Sequence, residues 1–190
     1  MLHPRTELRH VNDVIGYGVF ATALIPRGTI TWVLDPLDRV LGPQDVVALG
    51  PAFEPVLERY THYDGRGRRI LCWDFGRFMN HSCDPNCLSP GLSLEIALRD
   101  IAVGEQLTND YGALKIDRDF DCACGAAACR GRITTQDFAA HAAHWDAQLS
   151  EAFPDIGRVS QPLWLWVERR AEVRLALKSV NAPSHPARVR

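Results

Sequence analysis

Three closely spaced cysteines are the strongest chemical signal in this sequence. Cys122, Cys124 and Cys129 occur in the segment CACGAAACRG with the spacing C-x-C-x4-C. Thiolates at such a spacing can surround one tetrahedral metal ion, and a structural zinc site requires four ligands. One more ligand must therefore come from elsewhere in the chain. The candidates that the spacing leaves open are Cys72, Cys83, Cys87 and the histidines.

A second cluster of polar residues lies between positions 77 and 86, in the sequence RFMNHSCDPN. If Asn80 and His81 are buried, groups packed this densely must hydrogen-bond to one another, to backbone or to a ligand. The alternative is a polar surface loop that turns at residues 84–86, where an Asp-Pro-Asn sequence favours a turn.

Two further segments contain residue types that binding sites use. The segment GYGVF at 16–20 has two glycines, which allow backbone to approach a ligand closely, although an ordinary hairpin turn is the more common reason for such a pair. The segment EQLTNDYG at 105–112 contains Tyr111, whose hydroxyl can orient an amine or a carbonyl. The alternative for Tyr111 is a half-buried strand residue.

In this order, the four segments resemble the SET-domain lysine methyltransferases that carry a post-SET zinc segment. GYGVFA resembles their first motif, RFMNHSCDPN their signature loop, EQLTNDYG their closing motif and CACG-x3-CRG their post-SET cysteines. The resemblance covers about residues 6–131. It implies a mainly β fold with added helices, in which small curved β-sheets surround a knot-like crossing, with a helical extension at the C-terminus.

The resemblance also implies a cofactor and a substrate. S-adenosylmethionine would bind on one face, and the lysine of a protein or peptide would enter from the opposite face through a narrow channel. Tyr111 would be the catalytic residue and would orient the amine or the methyl group. The implied cofactor contacts are Gly16, Tyr17, Gly18, Asn80, His81 and Tyr111.

By the same resemblance, Cys83 is the fourth zinc ligand beside Cys122, Cys124 and Cys129. Such a metal would tie the post-SET segment to the signature loop, and binding it would help to order one wall of the channel.

The sequence departs from the family at the channel. Asn109 occupies a position where the family usually has Phe or Tyr, which leaves the number of methyl groups transferred open. The insert at about 40–68 is expected to form part of the peptide groove, where family members receive the peptide as an extra strand. Tyr60 and Tyr63 are candidates for the channel wall, with core packing as the alternative.

Three aspartates are candidates for attracting a basic peptide, with a solvated surface as the alternative. They are Asp35, Asp38 and Asp45.

Composition narrows the class of protein. The 190 residues include 21 lysines and arginines and 23 aspartates and glutamates, which gives a formal net charge of -2. This balance argues against direct nucleic-acid binding, which draws its affinity from an excess of cations. The sequence has no run of the ~20 apolar residues that span a bilayer, and its opening lacks the pattern of a signal peptide. We therefore expect a soluble cytoplasmic protein, or a nuclear or host-nuclear one if the substrate is a histone.

Periodicity places these segments on elements. Strands are predicted at 17–24, 29–34, 69–74, 93–99 and 105–109, two short helices within 43–60, and helices after residue 132. Pro162 is expected to open the last helix. The predicted domains are a SET domain at 1–117, a post-SET segment at 118–132 and a helical extension at 133–190. The extension has three candidate roles: completing the core, forming a dimer or covering the post-SET segment.

The leading hypothesis is a protein-lysine N-methyltransferase, possibly acting on histones or histone-like proteins. A catalytically inactive SET-like module that binds a peptide or scaffolds a complex is the alternative. A zinc-stabilised nucleic-acid binder is a third hypothesis, against which the near-neutral charge argues.

Overall fold

The computed structural model describes residues 1–179, which form short strands, five α-helices and several single 3₁₀ turns. Within this part of the chain, no helix is long and apolar enough to span a membrane. The strands are β1 (Thr6–Asn12), β2 (Gly16–Ala21), β3 (Ile30–Val33), β4 (Arg39–Leu41), β5 (Thr61–Tyr63), β6 (Arg69–Leu71), β7 (Asn80–His81), β8 (Cys87–Leu88), β9 (Leu94–Ala97), β10 (Thr108–Asn109), β11 (Phe120–Asp121) and β12 (Arg132–Ile133). The helices are α1 (Pro43–Leu49), α2 (Glu54–Tyr60), α3 (Asp137–Ala140), α4 (Ala142–Ala152) and α5 (Arg170–Ser179).

The central sheet has the strand order β3-β9-β8-β10-β7. Strand β10 lies between β7 and β8 and runs parallel to both, with Asn109 in register with His81. The chain therefore returns after β9 to insert a strand between two earlier ones. This insertion brings the closing segment 105–112 directly beside the signature loop 77–86.

The hairpin of β1 and β2 packs against the same closing segment. The amide of Leu107 donates to the carbonyl of Val19 at 2.8 Å, and that of Ala21 to the carbonyl of Glu105 at 2.9 Å. Val19, Ala21 and Leu107 are fully buried. The glycines at the start of β2 are thereby held next to the signature loop.

The insert forms a separate three-stranded antiparallel sheet with the order β4-β6-β5. Helices α1 and α2 connect β4 to β5. They are the two short helices that the sequence predicts within residues 43–60. Strand β5 is at the edge of this sheet, because it pairs only with β6 among the described strands.

The C-terminal helices complete the core of the central sheet. Trp145 and Phe153 are 1% exposed and pack in one hydrophobic cluster with Ile30, Leu94 and Ile96 of β3 and β9. Of the three roles considered for residues 133–190, the described part therefore fills the first. Among the described residues, this part of the chain shares one hydrophobic cluster with the central sheet.

The last helix begins later than the sequence pattern indicates. Helix α5 starts at Arg170, whereas Pro162 is followed by a 3₁₀ turn at Trp164–Trp166, after which Val167 is extended (φ -63°, ψ 112°). Leu163 and Val167 are nevertheless 2% and 1% exposed. These two residues are four positions apart, as on one face of a helix, but here a 3₁₀ turn and an extended residue bury them both. Periodicity of apolar residues alone does not distinguish this backbone from a helix. Residues 181–190, expected to form a frayed tail, lie outside the described residues.

Candidate active site and thiol cluster

A cavity of about 270 Å³ lies between the insert, the central sheet and the segment that follows Tyr111. All three residues predicted to line a channel are on its wall, together with the predicted catalytic tyrosine: Tyr60, Tyr63, Asn109 and Tyr111. Strand β5 contributes all of its residues to the wall, so the edge of the insert sheet borders the cavity.

Tyr111 is fixed at both its backbone and its hydroxyl. Its amide donates to Nδ1 of His81 at 3.1 Å, and its hydroxyl donates to the carbonyl of Met79 at 2.7 Å. Burial, followed by the charge of Glu95, raises the pKa of Tyr111 to about 12. The hydroxyl is therefore a protonated phenol throughout the physiological pH range, held in one orientation.

On the other side of the signature loop, the hairpin of β1 and β2 contacts Asn80. We call it the glycine hairpin, after Gly16 and Gly18 at the start of β2. The Asn80 side-chain amide donates to the carbonyl of Tyr17 at 3.0 Å. A Cβ at Gly18 would lie 2.8 Å from Oε1 of Gln106 and 2.9 Å from Nδ2 of Asn80, closer than such atoms can approach. Glycine at position 18 thus permits the close contact between β2 and this loop.

Phe78 connects the glycine hairpin to the cavity. Its ring is 6.2 Å from that of Tyr17 on one side and 5.6 Å from that of Tyr60 on the other, in edge-to-face geometry. Residues 78–81 therefore separate a half-exposed surface around Tyr17 from the cavity that contains Tyr111.

The four cysteines of the predicted metal site form a cluster. The sulfur of Cys122 lies 3.8 Å from that of Cys83 and 3.7 Å from that of Cys129. The sulfur of Cys124 is 3.4 Å from the amide nitrogen of Cys83. A zinc tetrahedron with Zn–S bonds of about 2.3 Å has edges of about 3.8 Å, so two of these separations match it. The other candidate ligands, Cys72 and Cys87, are buried in the hydrophobic core.

His81 lies next to this cluster, and its ring nitrogens both have protein partners. Nε2 is 3.4 Å from the sulfur of Cys83, and the ligand atoms of His81, Cys83, Cys122 and Cys124 lie within 4.8 Å of one another. Because Nδ1 accepts a hydrogen bond from Tyr111, a neutral ring carries its proton on Nε2 and donates it to Cys83. This contact links the thiol cluster to Tyr111.

Arg130 and the buried Asp110 form a partly buried salt bridge that the sequence motifs did not indicate. The Arg130 guanidinium contacts Asp110 Oδ1 at 2.6 Å, and Nε1 of Trp145 donates to Oδ2 of the same carboxylate at 3.2 Å. The amide of Arg130 also donates to the sulfur of Cys83 at 3.4 Å. Asp110, the residue before Tyr111, thereby connects the closing segment to Arg130 beside the thiol cluster and to Trp145 of helix α4.

Glu95 is the cavity residue that sequence reasoning missed. It is 8% exposed on β9, and its Oε1 accepts a hydrogen bond from the Asn109 side chain at 2.6 Å. Burial, opposed by this hydrogen bond, raises the pKa of Glu95 to about 7. The available signal was a single carboxylate within the apolar segment LSLEIAL, which is unusual for a strand whose other residues are buried.

The aspartates considered for peptide attraction have other roles. Asp35 and Asp38 are 6% and 8% exposed, and they accept hydrogen bonds from Nε1 and the amide of Trp73 at 3.0 and 3.1 Å. Asp45 accepts from the amide of Gly42 at 2.8 Å at the start of α1. Both readings of Asp35 and Asp38, the peptide contact and the solvated surface, are therefore wrong, because these carboxylates are buried and satisfied.

Comparison with known families agrees with this geometry. The SET domain family model matches residues 16–112, which contain the glycine hairpin, the signature loop and the closing segment. The chain belongs to the SET domain family. The resemblance to the SET domain family and the mainly β fold with added helices are thereby confirmed, while the post-SET zinc segment stays a prediction.

Individual relatives match over short regions. Histone-lysine N-methyltransferase set-2 of Caenorhabditis elegans is 42% identical over 67 residues, covering 32% of this chain and 4% of the relative. Probable histone-lysine N-methyltransferase set-23 of Caenorhabditis briggsae is 45% identical over 67 residues, covering 30% and 28%. This chain thus spans well under half the length of either relative. The methyltransferase domain of human histone-lysine N-methyltransferase SETMAR has a TM-score of 0.49 and 20% identity, covering 70% of this chain and 58% of that one.

Proposed function

We propose that this chain is a protein-lysine N-methyltransferase that transfers a methyl group from S-adenosylmethionine to the side-chain amine of a lysine. The observation that carries the proposal is the position of Tyr111 between two faces of the molecule. Its hydroxyl borders a cavity lined by Tyr60 and Tyr63, and residues 78–81 separate that cavity from the glycine hairpin. The relatives described as histone-lysine N-methyltransferases support the same reaction.

The substrate we propose is a lysine in an extended protein segment, on a histone or a histone-like protein. Strand β5 has a free edge among the described strands and borders the cavity, so an extended peptide can add to it by backbone hydrogen bonds. The lysine side chain would then enter the cavity. The proposed site of action follows the substrate: the nucleus for a histone and the cytoplasm otherwise.

The residues around the glycine hairpin fit S-adenosylmethionine. Gly18 lets the side chains of Gln106 and Asn80 approach its backbone closely, and the neighbouring Tyr17 is 49% exposed with its carbonyl bound by the Asn80 amide. We propose that Gly16, Tyr17, Gly18 and Asn80 hold the cofactor. Because both ring nitrogens of His81 are engaged, His81 would contribute its backbone, and its ring would position Tyr111. When bound, the cofactor supplies an activated methyl group on a sulfonium.

We also propose one zinc ion held by Cys83, Cys122, Cys124 and Cys129. The Nε2 proton of His81 makes this histidine a donor to Cys83, which leaves the four thiolates as the ligands. The ion would fix residues 122–131 against the signature loop. It would act as a structural metal, since four protein ligands leave no open position for substrate.

The chain's own residues have three tasks in this reaction. A lysine amine has a pKa near ~10.4, so the cavity must favour its neutral form. The walls combine aromatic rings such as Tyr60 and Tyr63 with paired charges, and burial of the amine among them would disfavour its charged form. Tyr111 remains protonated, so it orients the amine or the methyl group through its hydroxyl without acting as a base. Alignment of the reacting atoms then supplies much of the acceleration.

The test is methyl transfer from labelled S-adenosylmethionine to histones and to cell extract. We expect labelled methyl-lysine with the native chain and a reduction of about 10²-fold or more in Tyr111→Phe, because an oriented hydroxyl is lost. Ser150→Ala removes an exposed hydroxyl from α4 and is the matched control, expected to keep full activity. Transfer undiminished in Tyr111→Phe would contradict the role of Tyr111. Cofactor binding with no transfer to any protein would favour the inactive peptide-binding module instead.

A further inference from the structure

The inner wall of the cavity contains a pair of polar side chains, Glu95 and Asn109, that share one hydrogen bond. The Asn109 side-chain N–H donates to Glu95 Oε1 at 2.6 Å. The two remaining acceptors, Oε2 of Glu95 and Oδ1 of Asn109, are buried without a hydrogen-bond partner among the described residues. Glu95 and Asn109 are 8% and 2% exposed, and both line the cavity that contains Tyr111.

Buried acceptors without partners are costly, so their presence on a cavity wall indicates a ligand that donates hydrogen bonds. A lysine ammonium has three N–H groups and no acceptor, which makes it complementary to these two oxygens. The cavity wall has a third unpaired buried atom, Nε1 of Trp32, but this is a donor and cannot receive a proton. Of the two acceptors, only the carboxylate is basic.

We propose that Glu95 is the general base that takes the proton from the substrate lysine, and that Asn109 orients its carboxylate. This inference rests on the proposed function. The N–H bond of the ammonium breaks, and the proton passes to Glu95 Oε2, leaving a lone pair on the amine. That lone pair forms the new N–C bond while the S–C bond of the methyl donor breaks and the sulfur keeps its electron pair. Glu95 then releases the proton to solvent, one for each methyl group transferred.

The electrostatic surroundings of Glu95 suit this role. Its pKa of about 7 follows from burial, which raises it, and from the Asn109 hydrogen bond, which lowers it. A base with a pKa near the working pH is the most effective proton acceptor. The titratable groups whose pKa values respond to the charge of Glu95, together with His62 of the same cavity wall, stay neutral at pH 7. Burial raises the pKa values of Tyr111, Cys72 and Cys87, and it lowers that of His62 to about 4.

The charged groups of the cavity wall are engaged with other partners. Arg69 contacts Asp117 at 3.0 Å, and Arg118 contacts Glu58 at 2.9 Å. Arg77 donates to the carbonyls of Cys72 and Trp73. Arg59 places its guanidinium over the ring of Tyr60. Glu95 is thus the carboxylate that a substrate ammonium meets at the buried end of the cavity.

The pH dependence of kcat/KM distinguishes a base from a structural residue. With Glu95 as the base, the native rate should rise through pH 7 and then become level, because the reactive pair is the carboxylate and the ammonium. Glu95→Gln keeps the shape and the acceptor for Asn109, but it requires an amine that is already neutral. We expect its kcat/KM to fall by about 10²-fold at pH 7.5 and to recover about tenfold for each pH unit towards 9.5.

Asn109→Leu is a second variant, for which the direction of the shift in the pH profile is predicted. Losing the N–H donor removes the contribution that lowers the pKa of Glu95, so the rise in kcat/KM should move to higher pH. Equal losses at every pH in Glu95→Gln, or an unchanged profile in both variants, would overturn the proposal.

An infrared titration of the chain without cofactor keeps this test independent of activity. The difference between the native chain and Glu95→Gln should contain a protonated carboxyl band at pH 5 that disappears with a midpoint near pH 7. Absence of that band at pH 5 would overturn the assignment of Glu95 as the base. If the native chain shows the band but transfers no methyl group to any lysine, the proposed function fails while the titration of Glu95 stands. Thermal unfolding of Glu95→Gln confirms that the variant is folded.

Discussion

At the scale of single residues, the site depends on individual hydrogen bonds, each of which holds one side chain in a defined orientation. Tyr111 is held by Met79 and His81, and Asn80 is held by the carbonyl of Tyr17. Gly18 permits the contact between Asn80 and Tyr17, because it has no side chain that would displace the Asn80 amide. The residue types that the motifs single out are therefore the ones whose atoms meet in the fold.

Gly18→Ala tests this close approach. Its Cβ would displace the Asn80 amide, which we propose contacts the cofactor, and losing about one hydrogen bond to the cofactor costs ~1.4 kcal/mol, or tenfold in affinity. We expect calorimetry to give a dissociation constant for S-adenosylmethionine about tenfold above that of the native chain. Gly157→Ala is the control, because its Cβ would meet only Leu177 at 3.9 Å. Equal affinity in both variants would rule out this cofactor contact.

Sequence reasoning reached some of these residues and missed others for a physical reason. Tyr111, Asn80 and the cysteines occur in short motifs whose spacing is itself informative. Glu95 and Asn109 are 14 residues apart and Arg130 and Asp110 are 20 apart, so their pairing depends on strand order and side-chain direction. Neither is encoded in local spacing.

At the scale of elements, the position of β10 between β7 and β8 brings the closing segment to the signature loop. Residues 122–131 are joined to the same loop mainly through the thiol cluster and Arg130. The short pair β11 and β12 brackets this segment with two residues in each strand. The proposed metal ion is therefore expected to contribute much of the order of residues 122–131.

Cys129→Ser tests the ligand set. We expect the native chain to carry one zinc in mass spectrometry under non-denaturing conditions and Cys129→Ser to lose it, because three thiolates bind the ion less tightly. Cys72→Ala removes a thiol that is buried outside the cluster, and this control should keep its zinc. Full zinc in Cys129→Ser together with its loss in His81→Asn would place the histidine in the ligand set instead.

The predicted elements were most accurate where the pattern was unambiguous. The helices α1 and α2 lie within the predicted 43–60, and β3 and β9 lie within the predicted strands at 29–34 and 93–99. The start of α5 was wrong because residues spaced by four can be buried by a 3₁₀ turn followed by an extended residue. A pattern of burial records which side chains face the core and leaves the backbone between them undetermined.

At the scale of the whole molecule, the C-terminal helices and the central sheet are stabilised by the same core. Trp145 both fills that core and donates to Asp110, the residue before Tyr111. Stability and site geometry are coupled through this side chain. The sequence left open whether the helices complete the core, because the answer depends on the apolar face that β3 and β9 present to them.

Phe153→Ala measures how much of the stability this shared core provides. Removing a large side chain that is 1% exposed should lower the free energy of unfolding by about 3–5 kcal/mol. Leu165→Ala changes a side chain that is 75% exposed and should alter it by less than about 0.5 kcal/mol. Denaturant unfolding measures both variants. A loss below about 1 kcal/mol in Phe153→Ala would show that the helices contribute little to the core.

Acidification should destabilise the chain through His62. Burial lowers its pKa from 6.5 to about 4, so between these values the unfolded state binds a proton that the folded state does not. The free energy of unfolding should therefore fall as the pH drops from 6.5 to 4, and His62→Gln should reduce the slope. His144→Gln, at an exposed histidine, is the control for the removal of one imidazole. Identical slopes in the native chain and His62→Gln would contradict this assignment.

The most direct test of the account is a crystal structure of the chain with S-adenosylhomocysteine and a lysine peptide. We predict the cofactor's sulfur beside Gly18 and Asn80, and the lysine amine beside the Tyr111 hydroxyl, reached from opposite faces and pointing at each other across residues 78–81. Cofactor and lysine bound at unconnected surfaces, or a lysine that stays outside the cavity, would contradict it.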